Sequence, residues 1–597
     1  MPQPVGNKPA AKDVRSKGEK STGTSMMSPA GIREAVESIV IAFVLAFLFR
    51  TFEAEAFVIP TGSMAPTLMG RHRDVTCPNC KYEFQVSASD EVDPNGNLRP
   101  GVEVIAGTCP MCRFPLDMGR NNPQKETYPS YKGDRILVSK FPYQTHDPKR
   151  WDVAVFRYPG SAKINYIKRV VGLPDETVVI QYGDIYIKKS SDPEANIERK
   201  PPDKVLAMAQ PVYDNDFVAP AMEKKGWPER WQTPPGFTPW VRSEDHKSFS
   251  TDGKGDQPAW IAYRHFVPTY DDWRALAGDE QVKIAPRPHL ISDFSPYNTE
   301  LTANGMNGFH FGEESPGLGP RPDPTKLGLH WVGDLIAEFE LETQSAAGQI
   351  LVKLIKGGNE FVCRFQLDSG QVTLAVPGTA ELTSNKGIGK GKHRVRLANV
   401  DAELTLWIDG RVVEFPGRAT YDPDLAKAPS KDDLAPVWIG SQGAVATVRH
   451  LRLFRDIYYI AQKAFDRQSG SRGGEELGYG IRLSDFRTDD ESYPYKQFSA
   501  AAVEEFMTTP SAWGIHARRV KVDFTLEKGQ FLMLGDNSAE SKDSRLWMID
   551  SSQYYVNREL LIGKAMFIYW PHSWNRIPGT PIPFPMFPNF PRMKFVR

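Results

Sequence analysis

Apolar positions first gather into one block near the N-terminus. Residues 35–49 are apolar except for Glu37 and Ser38, and 39–49 are uninterrupted. Such a block reads as a helix, and the span from Ile32 to Arg50 is close to the ~20 residues needed to cross a ~30 Å hydrocarbon layer. The pattern then breaks into short runs separated by glycine, proline and aspartate. Residues 56–59, 135–138, 152–156, 164–171 and 177–187 read as strands of an antiparallel all-β unit. From Trp331 a period of two takes over. Leu335, Ala337, Phe339 and Leu341 alternate with Ile336, Glu338, Glu340 and Glu342, and Phe361, Cys363, Phe365 and Leu367 repeat the alternation. Further short runs to Leu453, with Asp409-Gly410 as a hairpin turn, predict a β-sandwich. Strands resume at 520–524, 531–534 and 565–569.

Three stretches lack periodicity. Residues 1–30 are rich in Pro, Gly, Ser and Lys and read as a disordered basic tail. Residues 190–325 are rich in Pro, Trp and Asp and predict irregular structure packed on its neighbours. The last stretch, 572–597, is rich in proline and aromatics and predicts an extended tail.

Composition changes this picture little. Lysine plus arginine and aspartate plus glutamate each number 73 in 597 residues, so no polyanionic partner such as nucleic acid is implied. The mean hydropathy of −0.43 limits any membrane fraction to a small part of the chain. Lys8, Lys12, Arg15, Lys17 and Lys20 precede the apolar block, which favours a cytoplasmic N-terminus and an exported remainder. A retained anchor over 31–52 is the expectation. A cleaved leader ending at Ala54-Glu55-Ala56 is the other reading.

The candidate chemistry is a serine and a lysine. Ser63 lies in a glycine-containing turn, and a serine hydroxyl is a poor nucleophile without a base. Lys168 lies in a strand-like run where a period of two directs it and Val170 to one face and leaves Arg169 to solvent. A lysine in apolar surroundings loses hydration and can act as a neutral amine. Taken alone, the two residues equally fit an ordinary turn serine and an edge-strand lysine.

Four segments in order decide between these. They are Thr61-Gly-Ser63-Met64-Ala-Pro66-Thr, Gly133-Asp134-Arg-Ile-Leu-Val138-Ser-Lys140, Tyr166-Ile-Lys168-Arg169-Val-Val-Gly172-Leu-Pro174 and Gly535-Asp536-Asn537-Ser538-Ala-Glu-Ser541-Lys-Asp543-Ser544-Arg545. Together they resemble the sequence boxes of bacterial type I signal peptidases. The resemblance implies a membrane-bound Ser–Lys endopeptidase that removes signal peptides from exported preproteins after Ala-X-Ala, through an acyl-enzyme. It implies an inner-membrane location with one N-terminal transmembrane helix, membrane lipid as neighbour and no cofactor for catalysis. By it Ser63 is the nucleophile, Lys168 the general base, and the Thr61 hydroxyl with the Ser63 N–H the oxyanion donors. Ser541 orients the lysine, Asp543 and Arg545 form a structural ion pair, and Phe57, Ile59 and Ile167 line the substrate site. Asp175 departs from the family's glycine after Gly172-Leu-Pro174, which puts that turn in doubt, since aspartate adopts positive φ less readily.

Cys77-Pro-Asn-Cys80 and Cys109-Pro-Met-Cys112 are two CxxC knuckles. Four thiolates so spaced suit a structural zinc ion, with disulfides as the rival in an exported protein. Cys363 reads as a core residue. The sandwich is similar to laminin-G and concanavalin-like folds, so a glycan or protein partner is expected for it. The resulting layout is mainly β. Catalytic pieces at 53–74, 119–189 and 516–571 are interrupted by a zinc-ribbon-like four-cysteine module at 75–118, an irregular insertion at 190–325, the sandwich at 326–456 and a connecting segment at 457–515. Two rival functions remain: a membrane-tethered glycan- or protein-binding chain with a degenerate peptidase domain, and a Ser–Lys protease for one dedicated substrate.

Overall fold

The computed structural model describes residues 29–48, 54–93, 97–119, 128–255, 257–302, 317–464, 485–486, 499–549, 551–577, 580 and 582–597. The basic tail lies almost wholly outside them, as do the last residues of the expected anchor and most of 465–498. The chain divides into two compact units, Met1–Glu55 and Ala56–Arg597.

The first unit is described by α1 (Pro29–Leu48). The transmembrane expectation is corrected here, because no helix among the described residues is long and apolar enough to cross a membrane. Arg33, Glu34 and Glu37 occupy its N-terminal half, and Arg33 Nε donates to Glu37 Oε1 at 2.8 Å. The unbroken apolar run within α1 begins only at Ile39. At ~1.5 Å per residue it rises roughly 15 Å, half of a ~30 Å hydrocarbon layer.

The second unit is mainly β. Its catalytic-type sheet has seven strands: β1 (Ala54–Val58), β2 (Arg135–Ser139), β3 (Val153–Tyr158), β4 (Ser161–Gly172), β5 (Gln530–Leu534), β6 (Val556–Asn557) and β7 (Leu561–Trp570), in the spatial order β1-β2-β7-β3-β4-β5-β6. Strands from both ends of the unit therefore interleave. A four-stranded sheet repeats the device, since Glu176–Gln181 pairs with both Asp184–Lys189 and Val522–Thr525. Apolar side chains from the two sheets, including Val171, Val178, Ile180, Phe524 and Leu532, share one core. Asp175 takes φ +62, so aspartate does supply the left-handed turn before Glu176.

The sandwich is built from a nine-stranded and a seven-stranded sheet. Phe361, Cys363 and Phe365 are fully buried between them, as their alternation predicts. The stretch expected to be irregular supplies strands to both sheets. Gln210–Asp214 and Ser248–Thr251 pair with Ala446–Arg455, and Ala259–Tyr263 pairs with Val437–Gln442. All five residues of Ala259–Tyr263 are buried, so no alternation marks the strand.

Candidate active site

Ser63 lies in the single 3-10 turn Gly62–Met64 that follows β1. Ala65 N donates to Gly62 O and Leu68 N to Met64 O, each at 2.9 Å. Met64 and Leu68 are buried with Ile59, Ile136 and Val138, so apolar anchors hold the turn on the sheet. Asp134 ties the same segment to β2: its carboxylate accepts from Met69 N at 2.7 Å and its carbonyl from Ile59 N at 2.9 Å.

Lys168 stands on β4 and is 4% exposed. Its Nζ donates to Ser63 Oγ at 2.6 Å and to Ile167 O at 3.0 Å. Burial strips hydration from the ammonium and lowers its pKa to about 8, against the opposing pull of the Asp543 and Asp536 carboxylates. A lysine so placed can take a proton from the serine in mildly alkaline solution.

The loop 535–545 closes the site from the other side. Asn537 N donates to Ser63 O at 3.1 Å, and Asn537 Nδ2 donates to Gly62 O at 3.1 Å. Gly535 marks the closest approach: a Cβ there would lie 2.1 Å from Ser541 Oγ and 2.5 Å from Ser63 O. Asp543 and Arg545 are fully buried and bonded through both carboxylate oxygens at 2.9 and 2.8 Å. Asp543 also accepts from Gly535 N at 3.0 Å, so the ion pair is tied to the start of the loop. Ser541 is buried with no hydrogen-bond partner, and the lysine amine rests on the Ile167 carbonyl instead. Thr61 stands in extended conformation at the exposed edge of the serine turn. Ile59 and Ile167 are buried in the cluster below that turn, and Phe57 packs against it.

Arg169 is not left to solvent. It is fully buried, donates to both Asp536 oxygens at 2.7 and 2.6 Å and to Trp151 O at 2.7 Å. The loop carrying Asp536 covers the face that strand alternation alone assigns to water. Asp536 and Asn537 were legible as part of a motif, but nothing in the sequence marked their partners.

The two CxxC knuckles have matching backbones. Cys77 N donates to Tyr82 O and Lys81 N to Cys77 O; Cys109 N donates to Phe114 O and Arg113 N to Cys109 O, all between 2.9 and 3.1 Å. Lys81 and Arg113 both take positive φ. The four sulfurs are buried and lie within 4.8 Å of one another, and none is in a disulfide. Burial pushes the Cys109 and Cys112 thiols well up, whereas hydrogen bonds from Cys109 and its neighbours pull Cys77 down. This buried cluster is able to hold a metal ion. Cys363 is a core residue of the sandwich.

The signal peptidase, peptidase S26 family matches residues 111–225 and 484–570. Among relatives, signal peptidase I of Pseudomonas aeruginosa is 46% identical over 77 residues, 11% of this chain and 25% of that protein. Signal peptidase I of Leptolyngbya laminosa is 27% identical over 179 residues, 29% of this chain and 57% of that protein. The chain thus spans about a quarter of the first relative and just over half of the second. Among solved structures, the Caenorhabditis elegans galectin LEC-6 is similar over 20% of this chain and 81% of its own, with 13% identity and a TM-score of 0.15. The carbohydrate binding module CBM66 from Bacillus subtilis is similar over 38% and 93%, with 10% identity and a TM-score of 0.17. Part of the chain is a signal peptidase I–type catalytic domain. The expected membrane-bound activity, single-pass topology and inner-membrane location are overturned by the lack, among the described residues, of a helix long and apolar enough to cross a membrane.

Proposed function

We propose that this signal peptidase I–type domain is a working Ser–Lys endopeptidase that cleaves one dedicated class of extended peptide. The 2.6 Å bond between Lys168 Nζ and Ser63 Oγ carries the reading, since a degenerate domain has no need of a buried lysine aimed at a serine. Neutral Lys168 takes the Ser63 proton, and Ser63 Oγ attacks the scissile carbonyl. The Ser63 N–H and the Thr61 hydroxyl receive the developing oxyanion. The Lys168 ammonium returns its proton to the leaving amine, and an acyl-enzyme remains. Neutral Lys168 then takes a proton from the water that attacks the acyl carbon and passes it to Ser63 Oγ as the acyl–oxygen bond breaks. Ser541, buried and without a partner, is the hydroxyl available to steady the amine through these transfers. β1 lies at the edge of its sheet, and the first half of β4 pairs only with β3 among the described strands. Both edges suit a substrate that adds as a strand, with Phe57, Ile59 and Ile167 as apolar wall.

The restriction to a dedicated substrate is supported by the insertions, which reach the serine turn itself. A proteome-derived peptide library incubated with the full chain, and mapped by mass spectrometry, tests the reading. We expect a narrow set of new termini, absent with Ser63→Ala and with Lys168→Ala. A folded wild-type chain that cleaves nothing would favour the binding-protein reading.

For the four-cysteine cluster the finer assignment is one structural zinc ion. Sulfur ligands in paired knuckles suit tetrahedral zinc, and four of them leave no open position for chemistry.

A further inference from the structure

The insertion contributes no part of the dyad, yet it reaches it. The 3-10 turn Pro296–Asn298 and the strand Leu301–Thr302 form a strap across the serine turn. The Tyr297 ring covers Gly62 so closely that a Cβ on Gly62 would lie 2.0 Å from Tyr297 Cε1. Tyr297 OH donates to Arg71 O at 3.0 Å. Asn298 and Asn537 exchange two hydrogen bonds: Asn298 Nδ2 donates to Asn537 Oδ1 at 2.7 Å, and Asn537 Nδ2 donates to Asn298 Oδ1 at 2.6 Å. Asn537 also holds the carbonyls of Gly62 and Ser63. The Nδ2 bond to the Gly62 carbonyl, which can only accept, fixes the orientation of the Asn537 amide, and Asn298 supplies the partners for its Oδ1 and its second N–H. Tyr297, Asn298 and Asn537 are buried, so water does not replace a lost partner. At its far end the strap is bound to the four-cysteine module. Thr108 N donates to Thr299 Oγ1 at 2.9 Å, and Leu301–Thr302 pairs with Val104–Thr108, just before Cys109.

We propose that Asn298 is a positioning residue for the nucleophile: through Asn537 it holds the Ser63 turn against Lys168, and it links catalysis to the inserted module. The inference rests on the Ser–Lys reading. It is tested on the full chain with the library peptide cleaved fastest, measuring kcat, KM and the single-turnover rate of Ser63 acylation by quench and mass spectrometry. Displacing a reacting atom by about 1 Å costs on the order of 100-fold. For Asn298→Ala we expect kcat and the acylation rate to fall together by roughly 10- to 100-fold, with KM nearly unchanged. Should Asn298→Ala not fold, Asn298→Leu keeps much of the volume, removes both bonds without burying a charge, and carries the same expectation. A folded variant that acylates at the wild-type rate, or whose loss falls on KM alone, would overturn the proposal. A wild-type chain that forms no acyl-enzyme at Ser63 would instead overturn the Ser–Lys reading.

Discussion

Lys168 shows at the scale of one residue how function is set against stability. In the unfolded chain a lysine keeps its proton up to about pH 10.4, whereas folded Lys168 releases it near pH 8. Between these values the unfolded state binds more protons, so stability rises with pH across that window and the penalty is complete below it. A displacement of this size corresponds to about 3 kcal/mol. Lys168→Met should therefore abolish cleavage and raise stability at pH 7 by about 2–3 kcal/mol, less whatever the lost bond to Ser63 contributed. The gain should vanish above about pH 10.4, as followed by denaturant unfolding at pH 7 and pH 11. In the wild type, kcat/KM should rise about tenfold per pH unit up to about pH 8 and then level, as the neutral amine accumulates. A flat profile from pH 6 to 8 would remove Lys168 as the base.

Among the elements, the loop 535–545 carries the tightest steric demand. Gly535 lies between Ser541 and the Ser63 carbonyl with no room for a methyl group, so Gly535→Ala must move one of them. We expect at least about tenfold lower kcat, and full activity in this variant would refute the loop's role in placing the serine. This loop was legible as a motif, as was the sandwich wherever one strand face is buried and the other wet, in Phe361 to Phe365 for example. Strands buried on both faces were not legible. Ala259–Tyr263 is apolar or small throughout and directly follows Pro258, so no period announces it. Arg169 was misread for a related reason: alternation along β4 says which way a side chain points, not what a distant loop will lay over it. The N-terminal helix was misread in the opposite sense, because the apolar block was counted through the charges at Arg33, Glu34 and Glu37.

For the molecule as a whole, the four-cysteine module is no separate appendage. Its core includes Trp227, Trp273 and Leu276 from the insertion, and its strand Val104–Thr108 carries the strap that ends at the serine turn. If the cluster holds zinc as proposed, treatment with a chelator, or Cys109→Ser, should lower the thermal midpoint and slow Ser63 acylation together. Metal analysis of the purified chain should find one zinc per molecule, and unchanged acylation in the metal-free chain would uncouple the two. The interleaved sheet has a consequence for timing. β4 cannot pair with β5, nor β2 with β7, until the C-terminal strands exist. During synthesis at roughly 5–20 residues per second, the chain between Arg169 and Leu534 takes on the order of tens of seconds to emerge. Throughout that interval β7, which lies between β2 and β3, does not yet exist, so the strand pairs that carry the Ser63 turn and Lys168 lack the neighbour that unites them, and the dyad is assembled only when the last strands are made.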